Sequence, residues 1–235
     1  MGRTSDARKK ILDAARSLIE LRGYSALGVA EICKTAEVPK GSFYYFFESK
    51  EALALTVLDE HWAAERRGWT SLLADDRQPP LQRLRRLFEA TEAEHRACRE
   101  DRGSIAGCML GNLSLEMCNQ SEAVRERLKE IFEDQVDMIE AVIAEAQGRG
   151  EIAVADTREA AQAVVAQLEG QVLFAKLYNT TSPLGVLWVH CLALLNARPA
   201  SVTAASCRRG HPAADTSGTA RPDGTVPGAY RAVQR

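Results

Sequence analysis

Apolar residues recur at intervals of three and four along nearly the whole chain, which is the period of a helix buried on one side. Ile11, Ala15, Leu18 and Ile19 form one such stripe, with Ser5 or Asp6 placed to cap its start and Gly23 to end it. Two short segments follow, about Val29–Ala36 and Lys40–Phe46. Leu53, Val57, Leu58 and Trp62 open a longer helix behind Ser49, a suitable N-cap, and Gln78-Pro79-Pro80 marks a break. Leu81, Leu84, Leu87 and Phe88 begin another helix that runs to about Arg99, where Arg102-Gly103 interrupts. The spacing predicts a short apolar helix over Ile105 to Met117 and a long one from Ser121 to Gly148, carrying Val124, Leu128, Ile131, Val136, Ile139 and Ile143. Two further helices are expected, about Thr157–Tyr178 and Pro183–Ala197, with Pro183 suited to a first turn. No stretch alternates as a strand would, so the expected fold is all-α with about nine helices.

Composition changes this picture at the end of the chain. From Pro199 the sequence turns to Ala, Ser, Thr, Gly, Pro and Arg, with too little apolar surface to bury, and residues 199–235 are expected to be a disordered tail. Charge is uneven. Residues 1–50 hold nine Lys/Arg against six Asp/Glu, a net +3, whereas residues 51–199 hold sixteen against twenty-four, a net −8. A basic head on an acidic body suggests that only the head meets a polyanion. The N-terminus lacks the apolar stretch of a secretory leader, and the apolar run Leu184–Ala197 is too short to span a bilayer, so a cytoplasmic protein without membrane contact is expected. The six cysteines form no CxxC pair and are expected to be mostly reduced.

The stretch from Gly23 to Leu53 has the layout of a helix-turn-helix. Val29, Ile32 and Cys33 face inward on its first segment, Val38 plugs the turn, and Phe43 and Phe47 pack four residues apart on the second. Lys40, Gly41, Ser42, Tyr44 and Tyr45 then point away, where small residues and a helix start suit the major groove. Tyrosine hydroxyls and Lys50 suit phosphate oxygens. Here the sequence closely resembles the TetR family of bacterial repressors, through Gly23-Tyr24, Ile32, Ala36-x-Val38, Pro39-Lys40-Gly41-Ser42-Phe43-Tyr44, Phe47 and Ser49-Lys50-Glu51-x-Leu53. The resemblance implies a recognition helix at Lys40–Phe46 and phosphate contacts from Tyr44 and Lys50. Three positions depart from it. Leu27-Gly28 replaces a Thr/Ser pair and removes a side-chain cap, Glu37 stands where the turn usually has glycine, and Phe46 stands for a polar aromatic.

The same resemblance divides the chain into a DNA-binding domain over 1–50 and a ligand-binding and dimerisation domain over 51–198. It also implies a homodimer through the last two helices, gripping a pseudo-palindromic double-stranded DNA operator until a small-molecule inducer shifts the spacing of the heads. Independently, the residues of those helices are apolar over more of the circumference than one stripe needs, from Val164 to Phe174 and from Leu184 to Leu195.

The most individual segment runs from Gly103 to Met117. Glycine precedes Cys108 near a helix start, a position that lowers a thiol's pKa. Its Gly-Cys-x-x-x-x-x-Leu-Ser-x-Glu pattern is similar to a TetR subgroup that includes the repressor of N-ethylmaleimide reductase and an acrylate-responsive regulator. That similarity implies a reactive sensor cysteine at Cys108, through which an electrophile or oxidant would release DNA. The alternative is reversible binding of a small organic ligand, such as a short unsaturated acid, with Cys108 only structural. Met109, Asn112, Trp62 and Arg66 are further ligand-site candidates, Arg66 as a partner for a carboxylate. His95 and Cys98 lie three apart but have no third ligand, so no metal is assigned. An enzyme would need His95 or His61 as a base beside Cys108 and an oxyanion site; nothing in the sequence supplies them, and neither a catalytic set nor a cofactor is assigned.

Overall fold

The structure is a computed structural model that describes residues 2–197. It contains ten helices and no strand among the described residues: α1 (Gly2–Arg22), α2 (Val29–Thr35), α3 (Lys40–Phe46), α4 (Lys50–Leu73), α5 (Pro80–Arg102), α6 (Met109–Met117), α7 (Glu122–Gly148), α8 (Thr157–Tyr178), α9 (Ser182–Gly185) and α10 (Leu187–Leu194). The predicted tail over 199–235 lies outside the described residues.

Most helix ends have the local chemistry the sequence suggested. The Ser49 hydroxyl accepts the Ala52 N–H at 3.0 Å, and Ser121 caps α7 by accepting from Val124 at 3.2 Å. Gly28 precedes α2 with no side-chain cap, as expected from the loss of a hydroxyl there. Three boundaries differ. Ser5 and Asp6 lie inside α1, which starts at Gly2. The helix expected from Ile105 begins only at Met109, because Gly107 takes φ +82° and the preceding residues form a loop tied to Asn179. The last predicted helix is broken at Val186 into α9 and α10, which gives ten helices rather than nine.

Two apolar cores organise the packing. The first joins α1, α2, α3 and α4 through Ile11, Ala15, Ile32, Phe43 and Leu58, then continues into α6 and α7 through Leu110, Leu113, Leu128 and Ile131. It therefore draws on both sides of residue 50. The second gathers Leu84, Leu87, Ile139, Ile143, Val164 and Leu187 from α5, α7, α8 and α10. Each Leu, Ile, Val or Phe among them, fully buried, contributes about 1.5–3 kcal/mol of transfer free energy. Among the described residues Arg83 is the charged residue sunk deepest, 5% exposed. It donates to the Leu73 carbonyl at 2.8 Å and pairs with Glu145, tying the end of α4 to α7.

Candidate functional sites

The head is a helix-turn-helix whose apolar side faces α1 and α4. Phe43 is fully buried and Phe47 nearly so, their rings 5.8 Å apart. The opposite side of α3 is open. Lys40 and Gly41 are exposed, Ser42 is half-buried, and Tyr44 and Tyr45 are 56% and 74% exposed. Glu37 holds the turn with φ +54°, a left-handed conformation that favours glycine. The Lys50 ammonium behaves differently from the expected phosphate contact. It donates inward to the carbonyls of Leu27 (2.9 Å) and Tyr24 (3.2 Å) and lies 3.9 Å from the Tyr24 ring centroid. Burial pushes its pKa down, and the Glu116 carboxylate opposes that. Lys50 thus closes the loop between α1 and α2 from inside, and the other five predicted residues remain on the open side.

Below the head lies a cavity of about 750 Å³, walled by α4, α5, α8 and the loop entering α6, with α1 and α7 contributing Arg16, Glu20 and Gln135. Cys108 and Met109 line it, together with Trp69, Leu72, Leu168 and Val172. Cys108 is the N-cap of α6, and its sulfur accepts the Gly111 N–H at 3.4 Å. Against the sequence expectation, its thiol is pushed well above its ordinary pKa. Burial is the main cause, and the carboxyl groups of Glu169 and Glu65 add to it. The helix-start contact lowers the pKa but is outweighed. Glu169 is pushed up as well, chiefly by burial, while the neighbouring Cys108 thiol opposes the shift. Gly111 makes that meeting possible: a Cβ there would stand 2.8 Å from the Glu169 carboxylate oxygen.

Three predicted ligand residues lie elsewhere. Trp62 is buried in the first core, and its indole N–H donates to Asp134 at 3.0 Å. Arg66 points outward to the same carboxylate, with Nε 2.6 Å from it, and holds Asp134 below its ordinary range. Asn112 faces away from the cavity, donating to the Ala106 carbonyl and accepting from Lys176. The phase of α4 explains the miss for Trp62 and Arg66: the cavity face carries His61, Glu65 and Trp69, one residue out of register with them. Glu169 and Gln135 also line the cavity and were not singled out, since a lone polar residue on a long helix carries no sequence signal.

The helix α6 connects the two sites. It starts at Cys108 in the cavity wall and ends beneath the head, where Glu116 accepts the Ser25 N–H at 2.8 Å. A second tie, the Arg102–Glu20 ion pair at 2.7 Å, joins α5 to α1.

Comparison with known proteins resolves what kind of molecule this is. Residues 11–57 match the family described as bacterial regulatory proteins, tetR family, and residues 80–190 match the tetracyclin repressor-like C-terminal domain. The transcriptional repressor DhaR of Mycobacterium sp. strain GP1 is 35% identical over 185 residues, 78% of this chain and 89% of that protein. The chain belongs to the TetR family. This TetR-family transcriptional repressor is also 37% identical over 123 residues to the repressor NemR of Escherichia coli K12, covering 52% of this chain and 60% of NemR. Its fold superposes on the crystal structure of E. coli NemR in reduced form with a TM-score of 0.73 at 28% identity, over 83% of this chain and 99% of that one. Regulators of the TetR family bind DNA operators as dimers. No helix of the described residues is long and apolar enough to cross a membrane, and those residues include no group of three His, Cys, Asp or Glu able to hold a metal.

Proposed function

We propose that this TetR repressor grips a pseudo-palindromic operator as a homodimer and lets go when a small organic molecule enters the cavity reversibly. The observation that carries this is the course of α6, from Cys108 in the cavity wall to Glu116 under the α1–α2 turn. A ligand that moves the first turn of α6 biases the seat of the head, and a coupling of about 1–3 kcal/mol is enough to change operator affinity measurably. Lys40, Gly41, Ser42, Tyr44 and Tyr45 are the proposed DNA contacts. Dimerisation is assigned to α8, α9 and α10, where Leu173, Phe174, Leu177, Tyr178 and Val189 are 45–68% exposed. Such a row of large apolar residues is unfavourable in water and suits a second copy of the same surface.

A thiol held protonated, and an acidic cavity with Arg66 turned away, argue against both a resident thiolate and a carboxylate inducer. One observation favours covalent sensing as a second reading: the Glu169 carboxyl and the Cys108 sulfur meet beside Gly111, 2.8 Å and 3.9 Å from where a Cβ would stand, so a base lies close to the thiol. Sulfur would add to the β-carbon of a quinone or other unsaturated carbonyl, with the thiol proton passing to Glu169 and then to the adduct. The experiment is a fluorescence-anisotropy titration of a duplex taken from upstream of the gene, with quinone, acrylate and uncharged aromatic ligands, on the parent and Cys108→Ser. Release retained in the serine variant supports reversible occupancy; release lost only for quinone assigns the covalent route. A protein that ignores the duplex in every condition refutes the function.

A further inference from the structure

The cavity has a charge character that neither the family nor the reading above assigns. Five carboxyl groups line it against two arginines, and one of those arginines, Arg102, is already paired with Glu20 at 2.7 Å. Glu65 and Glu169 both line it; burial, with the Glu65 carboxylate adding, pushes the Glu169 carboxyl above its ordinary range, and the His61 Nε2 is 3.2 Å from Glu65. No lysine lines the cavity among the described residues. A second, independent feature is Gln135. This residue is 3% exposed, lies in the same wall, and its Oε1 has no hydrogen-bond partner among the described residues. A buried amide left unpaired is costly, and a half-turn of its last torsion presents either its oxygen or its nitrogen to an occupant. Around these polar groups the wall is apolar, with Trp69, Leu72, Met109, Leu168 and Val172.

We propose that the ligand of this cavity is a lipophilic organic amine in its protonated form, its ammonium facing Glu65 and Glu169, its apolar body against Trp69 and Leu168, and a polar group meeting the Gln135 amide. This rests on the cavity being the inducer site. The chemistry is that of an incomplete ion cluster: Glu169 has no ion-pair partner among the described residues and Glu65 has only the His61 imidazole, and an ammonium with an apolar body supplies a cation while filling the space. A carboxylate ligand would add a third negative charge and is excluded by the same geometry.

The test uses three ligands with one diphenyl body: 3,3-diphenylpropylamine, 3,3-diphenylpropanol and 3,3-diphenylpropanoate. Binding to the full chain is followed by tryptophan fluorescence, to which Trp69 in the wall contributes. The amine is expected to bind about tenfold tighter than the alcohol, and the carboxylate weakest of the three. Glu65→Gln and Glu169→Gln should each lower amine affinity about fivefold and leave the alcohol unchanged, which also shows that both variants are folded. Equal affinity for amine and carboxylate, or an amine affinity indifferent to both substitutions, overturns the proposal. DNA release is read in parallel. An amine that binds with this charge preference but releases no DNA refutes the inducer role and leaves the ligand class standing. Release by the alcohol without amine preference does the reverse.

Discussion

Replacing Glu116 by alanine separates the contribution of α6 to the seat of the head from that of ordinary packing. The carboxylate accepts the Ser25 N–H at 2.8 Å and lies beside the loop that Lys50 closes from inside. Hydrogen bonds to a charged group contribute about 1.5–3 kcal/mol. This one is partly exposed, and the freed Ser25 N–H can turn to water, so the lower end of that range applies, about 1.5 kcal/mol. For a unit of roughly 200 residues, that corresponds to a fall of about 3–6 °C in melting temperature. Glu116→Gln keeps an acceptor oxygen and should recover about half of the loss. If the same bond carries the signal, ligand-induced release of the operator should weaken by up to about tenfold, since 1.4 kcal/mol is a factor of ten. Calorimetry and anisotropy titrations on the three proteins decide it. An alanine variant melting within about 1 °C of the parent, with unchanged ligand response, would show that α6 merely fills space under the head.

Other outcomes follow from the same geometry. The Glu169 carboxyl titrates above its ordinary range when folded, so the folded chain keeps a proton that the unfolded chain has released. Its contribution to stability therefore declines as pH rises from about 4.3 through the raised value, and Glu169→Gln should gain on the parent between pH 4 and 7 in thermal melts; a constant offset would contradict this. Cys108, protonated and pushed well above its ordinary pKa, should react with iodoacetamide at pH 7.5 at least about tenfold slower than free cysteine, and faster as pH exceeds 9, by mass spectrometry of its peptide. Fast labelling at neutral pH would place a thiolate there after all. Leu177→Glu puts a charge into the exposed apolar row of α8 and should give a monomer in analytical ultracentrifugation with operator affinity reduced at least about 100-fold. A dimeric variant would move the interface elsewhere.

The sequence was most legible where a pattern repeats or a cap is chemically distinctive. Ser49 and Ser121 announce helix starts, and the Phe43/Phe47 spacing fixes which side of α3 is buried. Periodicity could not place the first turn of α6, because Ile105 is buried as a loop residue would not ordinarily be, held by Asn179 from α8's far end. Nor could it choose the phase of α4 around the cavity. Trp62 and Trp69 look equivalent at seven-residue spacing and their rings meet edge to face at 5.9 Å, yet only Trp69 lines the cavity. The protonation of Cys108 was out of reach for the same kind of reason. A helix start argues one way, but burial decides the other, and the carboxyl group that adds to it, Glu169, arrives from a helix about sixty residues later in the chain.

The first apolar core runs unbroken from Ile11 and Phe43 into Leu110, Leu113 and Leu128. A fragment cut after Lys50 would strip Leu53 and Ala54 from beside Ile32, and a chimera that grafts these first fifty residues onto a foreign body would meet a mismatched floor. Exchange of operator specificity between relatives should succeed when α6 travels with the graft, so the transplantable piece of this protein is discontinuous in sequence and continuous in space.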